Sequence, residues 1–112
     1  MSIKDDRLYL QHILEAIEKV EKYIGSAEYS QFASDEIVAD AVIRQLEIIG
    51  EACTKLSEGF RLKAFEIPFR DIIDMRNMLI HNYAGVSLHI VWETCHKNLP
   101  ELKLLIKKHL AE

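Results

Sequence analysis

Residues 34–56 read SDEIVADAVIRQLEIIGEACTKL, and the spacing of their apolar residues decides the fold class. Val38, Val42, Leu46, Ile49, Cys53 and Leu56 recur every three or four positions. That is the period of one helix face and not the alternation of a strand. Ser34, with Asp35 and Glu36 behind it, is the expected N-cap and acidic first turn of this helix, and Gly59 its expected stop. A second row, Ile37, Ala41, Ile48 and Ala52, lies about 100° away, so the apolar arc is wide. Two readings follow. Either this is a central helix touched by neighbours on both sides, or its small residues Ala41, Gly50 and Ala52 pack against another subunit.

The same period continues on both sides. Ile13, Ile17, Val20 and Ile24 predict a first helix over about residues 4–24, opened by a capping box of Ser2 and Asp5 and ended by Gly25. Residues 26–34 lose the pattern and read as a loop. Pro68 suits the first position of a third helix through Phe69, Ile72, Ile73 and Leu79, which fails near Asn82–Gly85. Ser87 can cap the last region, where Leu88, Trp92, Cys95, Leu99, Leu102, Ile106 and Leu110 hold one register across Pro100. One kinked helix or two nearly collinear pieces are expected there. The expected architecture is all-α, an antiparallel bundle of four to five helices in a single domain spanning residues 1–112.

Composition agrees. With 49% hydrophobic and 29% charged residues, four Gly and two Pro in 112 residues, the chain suits one compact core. A disordered chain, a collagen and a many-stranded barrel are disfavoured. No apolar run approaches the ~18 residues of a membrane span, and the first seven residues are polar, so a cytoplasmic protein without membrane contact is expected. Cys53 and Cys95 fall in apolar runs and read as buried thiols. Residues 1–58 hold six Lys/Arg against twelve Asp/Glu, and residues 59–112 eight against six, so the halves carry −6 and +2. An anion site belongs in the second half. Tight sequence-blind nucleic-acid binding is not expected from so acidic a chain.

The chemistry-bearing stretch is Asp74-Met75-Arg76-Asn77-Met78-Leu79-Ile80-His81-Asn82-Tyr83. On a helix, Asn77 and His81 lie one turn apart and Arg76 on the adjacent row, so the three can line one edge. An Arg fork binds phosphate oxygens, a His exchanges protons near neutral pH, and an Asn orients either the imidazole or a ligand. The plain alternative is a solvated helix edge with Arg76 paired to Asp74 or another carboxylate.

The pattern Arg76-Asn77-x-x-x-His81-x-Tyr83 resembles the Arg-x4-His-x-Tyr signature of HEPN-domain proteins, specifically the HepT toxins encoded beside a minimal nucleotidyltransferase (MNT) antitoxin. Arg44–Ala52, Ile67–Arg70, and Val91-Trp92 through Leu99-Pro100-Glu101-Leu102 are similar to further segments of that family, so the likeness covers about residues 5–108. A departure is Ala84–Ser87, which lacks an acidic residue that such proteins often carry. The resemblance implies a homodimeric, metal-independent endoribonuclease without cofactor, with both subunits' motifs at one cleft. His81 would then be the general acid or base, Arg76 the stabiliser of phosphate charge, and Asn77 an orienting residue. Tyr83 would be either a packed ring or a phenol that the antitoxin modifies with AMP. A second implied reading is a non-catalytic accessory subunit that presents substrate to a nucleotidyltransferase.

Other candidates are weaker. His89 and His96, about 10 Å apart along a helix, are too distant to share a metal unaided. Lys103, Lys107 and Lys108 can touch phosphates but read first as a solvated face. Glu47 and Glu51 lack the partner histidines of a di-metal bundle and read as surface or Arg44-pairing residues.

Overall fold

The computed structural model describes the backbone of residues 3–112 and side chains from residue 5 onward, so the Ser2 cap lies outside the described residues. Among the described residues seven α-helices follow one another: α1 (Ile3–Ile24), α2 (Tyr29–Ser34), α3 (Glu36–Lys55), α4 (Glu58–Lys63), α5 (Phe69–His81), α6 (Leu88–Glu93) and α7 (Leu99–Leu110). A π-helical turn at Thr94–Asn98 joins the last two. Among the described residues there is no strand, and no helix is long and apolar enough to cross a membrane.

The core is the meeting of the predicted stripes. Ile13, Ile17 and Val20 of α1, Val42, Ile49 and Cys53 of α3, Val91 of α6, and Leu102 and Ile106 of α7 are at most 5% exposed. Burial pushes the Cys53 and Cys95 thiols up to about 12, as expected of thiols that pack and do not react. Gly25, at φ +54°, ends α1 in the left-handed region where a Cβ would be strained. Helix α3 packs between α1 and α5, so most of its wide arc serves neighbours on both sides within the chain, while Ile37 at its start stays exposed.

Three local expectations need correction. Residues 29–34 are not loop but helix α2, too short for a readable period and anchored by the buried ring of Phe32. Because Ser34 closes α2 by bonding back to the Ser30 carbonyl at 2.8 Å, the N-cap of α3 passes to Asp35. Its carboxylate accepts from the Val38 N–H at 3.1 Å. Gly59 does not end α3; that helix stops at Lys55, and Gly59 lies within α4.

The last helical region is continuous. At its π-turn the Leu99 N–H reaches back five residues to the Thr94 carbonyl. The slipped register lets Pro100, which has no N–H to donate, enter α7 in its first turn, while Cys95 of the π-turn and Leu99 of α7 both stay on the buried side.

Candidate functional site

Helix α5 carries the polar edge because α3 lets it come close. Gly50, buried mid-α3, faces the side-chain stem of Arg76: an added Cβ would overlap the Arg76 Cβ and lie 2.7 Å from its Cγ. The missing side chain is the channel through which Arg76 crosses α3. Its guanidinium then meets two acceptors, Glu51 Oε2 at 2.5 Å through Nη2 and Asn77 Oδ1 at 2.8 Å through Nη1. The Nε–H is buried without a partner. Arg76 is therefore half-buried and held in one pose, with Lys55 Nζ 3.9 Å from the other oxygen of Glu51.

His81 closes the same edge one turn on. Its Nδ1–H donates to the Asn77 carbonyl at 2.9 Å. A carbonyl only accepts, so this bond fixes the tautomer: Nδ1 carries the proton and Nε2 of the neutral ring is a bare lone pair. The residue is exposed, so nothing in the fold shuts the ring away from water. Asn77 thus links the pair, holding Arg76 with its side-chain oxygen and His81 with its backbone oxygen.

Helix α5 ends where the sequence says it should. The Asn82 N–H still bonds the Met78 carbonyl at 2.9 Å, after which Tyr83–Gly85 forms one 3-10 turn. Tyr83 sits on that turn with 82% of its surface exposed, so of its two readings the packed ring is set aside. Ser87 caps α6 through the Ile90 N–H at 3.3 Å, as expected.

Sequence reasoning missed two residues of the site. Glu51 is the carboxylate that pairs with Arg76, whereas Arg44 takes Glu47 at 3.5 Å. Gly50 is filled by this chain's own Arg76. Both lie in the quoted Arg44–Ala52 segment, but nothing in one sequence says that α3 and α5 cross there. Of the weaker candidates, Lys103 bonds Glu21 at 2.8 Å and Lys108 lies 3.7 Å from Glu66, while Lys107 is exposed.

Comparison with known proteins gives the family of the chain. Residues 13–109 match the family described as Ribonuclease HepT-like. The chain is 43% identical over 97% of its length to a Methanocaldococcus jannaschii protein named as a gamma-glutamylcyclotransferase and, provisionally, an RNase, of which it spans only 49%. It is 40% identical to a protein provisionally named as an RNase from Caldanaerobacter subterraneus subsp. tengcongensis, covering 98% of both chains. It is 41% identical, over 85% of its own length and 86% of the other's, to a protein named Probable ribonuclease HepT from Thermococcus cleftensis. No solved structure matches. The Arg76–Asn77–His81 edge thus stands in a sequence matched almost end to end, and the chain belongs to the HepT-like ribonuclease family.

Proposed function

We propose that this chain is the toxin of a HepT/MNT pair, a metal-independent endoribonuclease that works as a homodimer. The observation that carries the reading is the pose of His81, whose Nδ1 is tied to the Asn77 carbonyl so that Nε2 is left to accept a proton, while the same Asn77 holds the guanidinium of Arg76. Nε2 takes the proton of a ribose 2′-hydroxyl, the 2′-oxygen bonds to the adjacent phosphorus, and the bond to the 5′-oxygen breaks. The His81 of a second copy protonates that leaving oxygen, because one imidazole cannot stand on both sides of an in-line displacement. Products are a 2′,3′-cyclic phosphate and a 5′-hydroxyl, with Arg76 stabilising charge on the non-bridging oxygens. Glu51 holds Arg76 until the phosphate takes its place.

A second copy has a surface to use. Along α5 only Leu79 is fully buried, while Ile72, Ile73, Met75 and Met78 stay half-covered, and Ile72 and Met75 line a groove of about 350 Å³ toward α7. Tyr83, exposed two residues beyond His81, is the acceptor for AMP: its hydroxyl attacks the α-phosphorus of ATP on the antitoxin and pyrophosphate leaves. The added phosphate then competes for Arg76. The accessory-subunit reading draws on a different observation, the net charge of −4 together with an Arg76 already paired to Glu51.

Cleavage of RNA by the purified chain decides between them. Wild type should cut in EDTA and leave cyclic phosphate ends, and His81→Ala or Arg76→Ala should lose about 10²-fold or more in rate. Equal rates for His81→Ala and wild type, or loss of wild-type activity in EDTA, refute the mechanism. Twice the chain mass by light scattering, and AMP on Tyr83 by peptide mapping after co-expression with the nucleotidyltransferase, test the remaining two parts.

A further inference from the structure

Five rings outside the Arg76–His81 edge form a cluster that this chemistry leaves unused. Trp92 of α6 lies on the buried ring of Phe32, with centroids 5.3 Å apart. His96 stacks on Trp92 at 3.9 Å with the planes 35° apart, and Tyr29 meets both Trp92 and His89 edge-on at 5.7 Å. His96 is fixed there by its Nδ1–H, which donates to the Trp92 carbonyl at 2.8 Å. Phe32 and Trp92 account for anchoring α2 to α6. They do not account for an imidazole held over the indole with its outer face in solvent, or for the exposed rings of His89 and Tyr29 beside it. Glu93, on the same helix, is 2.6 Å from Lys97 and 3.9 Å from His89, so its charge is compensated.

The position is suited to the substrate. His89 follows His81 by eight residues, a span of at most about 28 Å that the intervening 3-10 turn shortens. A chain of net charge −4 draws little affinity from neutralising phosphates, so its hold on an RNA must come from contacts that ignore charge. Stacking is such a contact, because every base offers a π-face.

We infer that Tyr29, His89, Trp92 and His96 form a base-stacking subsite for single-stranded RNA, seating nucleotides that flank the scissile phosphate. The inference rests on the ribonuclease reading. A duplex, whose bases are already stacked on one another, is not held there.

Trp92 is the chain's only tryptophan, so its emission reports the subsite directly. The full chain carrying His81→Ala, which removes cleavage, is titrated with a fluorescein-labelled single-stranded oligouridylate, read by anisotropy and by Trp92 fluorescence in parallel. Binding should quench Trp92, an RNA duplex should not, His96→Ala should weaken binding about tenfold, and His96→Phe should restore it. His96 is exposed, so these variants leave the core intact. Anisotropy that rises with unchanged Trp92 emission, or equal affinity for His96→Ala, overturns the subsite and leaves the ribonuclease reading standing. Failure of wild type to cleave RNA, measured separately, removes both.

Discussion

Replacing Gly50 by alanine tests the crossing on which the site is built. In a helix interior alanine is favoured over glycine by about 0.5–1 kcal/mol, so α3 alone gains from the change. Against this, the new Cβ would overlap the Cβ of Arg76, approach its Cγ to 2.7 Å and lie 3.4 Å from the Ile72 carbonyl oxygen. A Cβ cannot rotate away, because the backbone of α5 fixes it, so α5 itself must retreat. Forcing extra volume into a packed contact costs about 1–3 kcal/mol, which leaves a net loss near 1 kcal/mol and a melting temperature about 4 °C lower. Activity should suffer more than stability. The retreat pulls the guanidinium from its place between Glu51 and Asn77, and misplacing a charge-stabilising group costs about 10²-fold in rate. Gly59→Ala is the control: it lies in α4 with nothing within 4 Å of an added Cβ, so it should gain about 0.5 kcal/mol and leave cleavage alone. Urea denaturation and RNA cleavage on both variants suffice. A Gly50→Ala protein as stable as Gly59→Ala and as active as wild type would refute the claim that this glycine positions Arg76.

Asp6 is buried and accepts from the Ser57 N–H at 2.8 Å and the Ser57 hydroxyl at 2.6 Å, so Asp6→Ala should cost about 1–3 kcal/mol in urea denaturation by leaving that N–H unsatisfied. Glu66 is held below the usual carboxylate range by a backbone hydrogen bond and then by His109, and Glu112 by Lys63 and then His109. Their contribution is complete above the unfolded carboxylate pKa and is lost as pH falls through the lower folded value, so Glu66→Gln should flatten the acid limb of a stability–pH curve. With both thiols raised to about 12, iodoacetamide at pH 8 should label neither Cys53 nor Cys95 in the native protein and both in urea; labelling of native protein would contradict their burial.

The sequence by itself determined the class of fold, because a 3.6-residue period survives in any single chain long enough to show it. The stripes of α1, α3 and the last helix, the stop at Gly25 and the Ser87 cap are local, and local rules read them. It also determined that Arg76, Asn77 and His81 share an edge, since helical geometry alone places them there. Helix α2 stayed hidden because six residues make fewer than two turns, and what holds it is the burial of Phe32. Tertiary structure decided the rest. That Gly50 is a passage for Arg76, that Glu51 and not Asp74 takes its charge, and that Tyr29 joins Trp92 and His89 all depend on where helices cross. A crossing is set by the packing of two faces distant in sequence, and no spacing within one helix records its partner.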